Sequence, residues 1–115
     1  MIVRDIVEIL NGEVLAGEDK LEQEVEYLGA SDMMSDILAL SKPGMMVLTG
    51  HTSPQAVRTG IVTQLLGLIV VRGKNLPEQT YEMAKTNNFL LIRTEFGMFS
   101  SCGKLYEKGF RGGDE

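Results

Sequence analysis

The hydrophobic pattern of the chain is organised around a block that occurs twice, 23 residues apart. Gly44-Met-Met-Val-Leu-Thr-Gly50 followed by His-Thr-Ser-Pro54 is echoed by Gly67-Leu-Ile-Val-Val-Arg-Gly73 followed by Lys-Asn-Leu-Pro77. Each copy reads as a short continuous apolar run, a strand covered on both faces, that ends at a glycine before a proline opens a helix. Asn88 to Thr94 is a weaker third copy, with Thr94 in the place of the glycine and no proline four residues later. The chain is therefore expected to be built from βα units. An open parallel sheet of this kind binds ligands beyond the carboxyl ends of its strands.

The rest of the pattern fills in the architecture. Val3, Ile6, Val7 and Leu10 recur at spacings of three and four, predicting a short amphipathic helix that Asn11-Gly12 stops. Glu13 to Ala16 predicts a strand. Glu24 to Gly29 alternates at period two and predicts a second, half-exposed strand near a sheet edge. The acidic stretch between them, Gly17 to Glu24, reads as a solvated surface loop. Ser31 is suited to cap a helix over Asp32 to Leu40. After Pro54, Val57, Ile61 and Leu65 form a stripe flanked by Val62 and Leu66, and a mid-helix Gly60 implies close packing. After Pro77, Tyr81 and Ala84 turn toward the core. Met98, Phe99, Cys102, Leu105, Tyr106 and Phe110 predict a C-terminal helix packed on the sheet. The expected fold is an α/β three-layer sandwich with a mixed sheet of about five strands. Its core would be the three parallel repeat strands, and the two N-terminal strands would extend one edge. One domain is expected over residues 1–110, with a flexible tail over 111–115.

Composition narrows the function classes. With 115 residues, 43% hydrophobic and 23% charged, the chain can bury a core without covalent staples. Its apolar runs fall far short of the roughly 18 to 20 residues of a membrane span. No secretory signal pattern opens the sequence, so a cytoplasmic location is expected. A net charge of −5 with 11 scattered Lys and Arg residues argues against nucleic acid as a partner. One Cys and one His exclude an intrachain disulfide and a Cys/His zinc cage, and no cofactor is expected.

Candidate chemistry collects at the carboxyl ends of the three repeat strands. The first brings Thr49, Gly50, His51, Thr52 and Ser53, the second Arg72, Gly73, Lys74 and Asn75, the third Arg93, Thr94 and Glu95. Three cations, with helix N-termini near Pro54 and Pro77, suit an anion such as a phosphate or nucleotide. The glycine spacing matches neither a Walker A loop nor a dinucleotide-binding turn. His51 lacks an identifiable nucleophile partner and reads first as a polar loop residue. Asp32 and Asp36, four apart, share a helix face and could bind a metal or ligand donors, although a helix-start charge and a solvated carboxylate explain them equally simply. Cys102 lies on an apolar stripe and reads as a structural thiol. No nucleophile or acid–base pair is held by a third group, so no enzymatic activity is expected.

Four segments, Ser31 to Ala39, Val47 to Gly50, Val71 to Lys74 and Phe99 to Tyr106, together resemble the DRTGG domain family in its short stand-alone form. Asp32, Thr49 and Gly50 match residues frequent in that family, with Gly73 a further match. The chain departs from it after Asp32, where members with a Gly-Asp-Arg turn carry Arg and this sequence has Met33. The resemblance implies a regulatory module similar in fold to the N-terminal domain of HPr kinase, and it implies dimerisation. DRTGG domains occur beside CBS domain pairs in some inorganic pyrophosphatases and outside the catalytic domain of phosphotransacetylases. Stand-alone members are often encoded among redox and hydrogenase proteins, which suggests such a partner. The expected site comprises Asp32, Thr49, Gly50, His51, Ser53, Arg72, Gly73, Lys74, Arg93 and Thr94, holding a small anionic ligand such as a nucleotide. A module for protein assembly without a ligand is the alternative.

Overall fold

A computed structural model describes residues 1–114. Its centre is a run of four parallel strands, β2 (Tyr27–Ala30), β3 (Met45–Thr49), β4 (Gly67–Val70) and β5 (Leu90–Arg93). Helices α2 (Met34–Leu40), α3 (Pro54–Val62) and α4 (Glu78–Thr86) make the crossovers between them. Helix α1 (Val3–Leu10), strand β1 (Glu13–Ala16) and a single 3₁₀ turn, Glu18–Lys20, precede this run, and helix α5 (Met98–Glu107) follows it. The sheet has five strands in the order β1-β5-β4-β3-β2, with β1 antiparallel to β5.

The two N-terminal strands lie on opposite edges, not on one as their pattern had predicted. The connection between them crosses the whole sheet, past the start of α1. Val3 N donates to Gln23 O at 3.0 Å, Arg4 N to Leu21 O at 2.8 Å and Val25 N to Met1 O at 2.9 Å. The acidic stretch is therefore a bonded crossing with exposed carboxylates rather than a free loop, and it delivers Val25 into the core. Strand β2 starts three residues later than the alternation suggested, because Glu24 and Val25 pair with Ile2 and Met1 ahead of α1.

Alternate strand residues serve two separate cores. Met45, Val47, Leu68, Val70 and Leu91 pack beneath Ile37, Ala56, Val57 and Ala84 of α2, α3 and α4. Met46, Leu48, Ile69, Leu90 and Ile92 pack beneath Val3, Ile6, Leu10 and Leu105 of α1 and α5. A strand covered on both faces has no polar position to offer, hence the continuous apolar runs. Successive right-handed crossovers moving one way across the sheet put α2, α3 and α4 on one face.

Several local expectations are corrected by this packing. Helix α3 ends at Val62 rather than reaching Leu65, since Gln64 takes φ 62 and turns the chain. Val62 is consequently exposed while Leu65 is buried in the connection. Gly60 does permit close packing, for a Cβ there would stand 2.6 Å from Phe89 Cζ. In α4 it is Thr80, with Ala84, that is fully buried, and Tyr81 is only half-buried. In α5, Phe99 is 92% exposed and Tyr106 52% exposed. Each sits about 100° round the helix from the Met98–Cys102–Leu105 stripe, too far to reach the sheet. Of the tail expected over 111–115, Glu115 lies outside the described residues. Leu28 N donates to Arg111 O at 3.0 Å, and Gly112 forms a parallel bridge with Leu28. No described helix is long and apolar enough to cross a membrane.

Candidate functional site

The carboxyl end of β3 turns sharply, and side chains from two neighbouring loops hold the turn. Thr49 is fully buried and its Oγ1 accepts from His51 N at 3.1 Å. Gly50 N donates to Asp32 Oδ1 at 2.6 Å, and Gly50 O accepts from Lys74 Nζ at 2.8 Å. Asp32 can reach the turn because it precedes α2. Ser31 Oγ accepts from Met33 N at 3.0 Å and donates to Asp36 Oδ2 at 3.1 Å, and the helix begins only at Met34. The two aspartates therefore do not form the pair on one helix face that their spacing suggested.

Arg72 and Gly73 leave β4 with φ 69 and φ 60, consecutive left-handed residues that bend the chain back over the sheet end. Arg72 N donates to Phe96 O and Gly73 N to Thr94 O, both at 2.8 Å. The loops after β4 and β5 lead to helices on opposite faces, the arrangement that opens a crevice in many α/β sheets. Here those backbone bonds close it, and the open space lies one strand over. The Arg72 side chain crosses β3, bringing Nη2 to 3.7 Å from Asp32 Oδ2. A Cβ on Gly50 would stand 2.3 Å from that Nη2, so any larger residue would displace the guanidinium from this position. The result is a cleft of about 300 Å³ lined by Asp32, residues 50–53, Arg72 and Lys74.

Asp32, Gly50, His51, Ser53, Arg72 and Lys74 of the expected site thus converge, and Thr52 joins them. Thr49 lies beneath as a support. The third cation does not converge: Arg93 Nη2 is 3.0 Å from Glu13 Oε1 and its Nη1 donates to Asn75 Oδ1 at 3.3 Å. Thr94 is buried, donating to Leu10 O at 2.8 Å. Gly73 stands against Glu95 instead of the cleft. Of the helix starts expected near Pro54 and Pro77, that of α3 borders the cleft through its N-cap Ser53, with Pro54 at its first turn. The start of α4 is used to brace the same loop, since Thr80 Oγ1 donates to Thr52 O at 2.6 Å. Among the described residues no hydrogen bond joins the His51 ring to a carboxylate, and no group of His, Cys, Asp and Glu is placed to hold a metal ion. Arg72 and Lys74 against Asp32 leave the cleft with net positive character in a chain that is acidic overall.

A second cavity carried no signal in the sequence. About 220 Å³ of apolar space lies between β2, α5 and residues 110–112, lined by Leu28, Ala30, Cys102, Leu105 and Phe110 among others. It exists because residues 110–112 fold back along the β2 edge. Burial there raises the Cys102 thiol above its usual 9.0.

No curated protein matches the chain. Among solved structures it is similar to the CBS and DRTGG domains of the regulatory region of Clostridium perfringens pyrophosphatase, complexed with the activator diadenosine tetraphosphate. The TM-score is 0.71 at 18% identity, over 90% of this chain and 45% of that one. At that identity the likeness concerns the fold, and the chain spans less than half of the matched region. The DRTGG domain profile itself matches residues 5–107, nearly the whole sequence, and the chain belongs to the DRTGG domain family.

Proposed function

We propose that this domain is a non-catalytic regulatory module that binds a small anionic ligand, a nucleotide or phosphorylated metabolite, in the cleft beside Arg72. The observation that carries this reading is the state of the Arg72 guanidinium. It is half exposed, lines the cleft and makes no hydrogen bond among the described residues, its one ionic neighbour being Asp32 at 3.7 Å. A planar fork of free donors suits a phosphate better than any other common group. Lys74 adds a second charge, and the start of α3, whose N-cap Ser53 lines the cleft, adds the positive end of the helix dipole. The regulatory region of similar fold is complexed with a nucleotide activator, which supports the ligand class without naming the ligand. Thermal-shift and calorimetric screening of nucleotides and phosphorylated metabolites tests the reading. Arg72→Ala should weaken a binder about tenfold or more, and Lys74→Ala should weaken it measurably. A broad screen without a binder, or binding indifferent to both changes, counts against it.

A second reading, assembly, is favoured by one observation. Phe99 is 92% exposed on α5 with Tyr106 nearby, an apolar surface that a two-fold partner would cover. A homodimer through α5 would sediment as a dimer at tens of micromolar and as a monomer after Phe99→Asp. A wild-type monomer would remove this reading.

A further inference from the structure

We infer that Asp32 is a specificity residue of the cleft, favouring anions that also carry a hydrogen-bond donor, such as the hydroxyls of a sugar phosphate, over bare inorganic anions. This rests on the anion-binding reading above. One oxygen of the carboxylate is engaged, Oδ1 accepting from Gly50 N at 2.6 Å. The other, Oδ2, lies 3.7 Å from Arg72 Nη2, beyond hydrogen-bond range, and no described residue donates to it. The side chain is 55% exposed and lines the cleft. It is also held, on one side by Gly50 and on the other by the Ser31–Met33 turn that starts α2.

An anion drawn to Arg72 therefore arrives beside a negative charge anchored through Oδ1 by Gly50 N. At the effective dielectric of a half-exposed site, two like charges about 5 Å apart repel enough to cost roughly five- to tenfold in affinity, after allowance for solvent screening. A carboxylate only accepts hydrogen bonds, so a ligand hydroxyl or amine at Oδ2 converts that neighbour from an obstacle into a partner. A nucleotide or sugar phosphate carries such donors within a few ångströms of its phosphate, whereas inorganic phosphates at neutral pH offer few or none.

The test compares ATP with inorganic tripolyphosphate, matched in phosphate number, by calorimetry or by NMR titration of the full chain. Wild type should bind ATP more tightly. Asp32→Asn keeps an acceptor for Gly50 N while removing the charge, and should raise tripolyphosphate affinity about five- to tenfold while lowering the preference for ATP by a similar factor. Tripolyphosphate binding unchanged by Asp32→Asn, or both ligands shifted equally, would overturn the inference while leaving the anion site intact. Failure of both ligands to bind either protein at millimolar concentration would overturn the anion site itself and the inference with it. A comparison of ribose 5-phosphate with inorganic phosphate on wild type alone needs no variant to fold, and equal affinity there would also overturn it.

Discussion

Gly50 and Gly73 occupy equivalent places in the sequence repeat, yet each is glycine for a different reason. The strands pair with Thr49 opposite Val70, so Gly50 follows its strand at once, while Val71 and Arg72 intervene before Gly73. Gly50 leaves space, because the Arg72 guanidinium passes where a Cβ would be. Gly73 is needed for conformation, at φ 60, and a Cβ would also stand 1.8 Å from Glu95 Oε2. Gly73→Ala should therefore cost about 1 to 3 kcal/mol of stability. Gly103→Ala, mid-helix with nothing within 4 Å of the new methyl, should add about 0.5 to 1 kcal/mol. Urea denaturation midpoints moving in opposite directions would verify the pair. The two arginines separate in the same way. Arg93→Ala breaks the 3.0 Å contact with Glu13 and should lower stability by up to about 1 kcal/mol, leaving anion affinity unchanged. Arg72→Ala should leave the melting temperature nearly unmoved and weaken anion binding about tenfold or more.

At the scale of the element, α5 shows how a helix can look more amphipathic in sequence than it is in place. Of the six apolar residues expected on its stripe, Leu105 is buried, Met98 and Cys102 are half-buried, Phe99 and Tyr106 lie outside, and Phe110, though buried, follows the end of the helix at Glu107. The inward place beside Leu105 goes to Ser101, whose buried Oγ has no hydrogen-bond partner among the described residues. Ser101→Ala removes an unpaired hydroxyl and improves helix propensity, and should stabilise the protein by about 0.5 to 2 kcal/mol, read as a higher urea midpoint. Cys102 next to it tests the burial independently. Desolvation raises its thiol above the usual 9.0, so the neutral form is favoured by folding. Above pH 9 the unfolded chain deprotonates first, and this group's contribution to stability declines as pH rises through the folded value. Iodoacetamide at pH 8 should alkylate the folded protein more slowly than the urea-unfolded chain. Equal rates would mean that the thiol is open to solvent.

At the scale of the whole molecule, the sheet has two edges guarded differently. The β1 edge is short and bears Glu13, paired with Arg93. The β2 edge is partly covered by residues 111–113, through the Leu28 N to Arg111 O bond and Lys42 Nζ donating to Gly113 O at 2.7 Å. Deleting residues 111–115 should cost about 1 to 2 kcal/mol, the worth of those bonds, and should uncover a strand edge open to pairing. Light scattering of the truncated chain is expected to show association that increases with concentration. Unchanged stability and unchanged scattering would mean that the segment leaves the edge free in solution.

The layers are legible in the chain alone. Continuous apolar runs ending at glycines specify strands buried on both sides, and helical spacing between them specifies the crossovers, because periodicity is local and each element carries its own. The chain also places the candidate chemistry at one end of the sheet, since every parallel strand delivers its following loop there. Only the tertiary structure decided that β1 and β2 take opposite edges, because strand pairing is chosen by long-range contacts that no local pattern encodes. It alone decided that Arg72 crosses to Asp32 while Arg93 turns to Glu13. Both are cations at strand ends in the sequence, and a long flexible side chain goes to whichever carboxylate the fold brings within its reach.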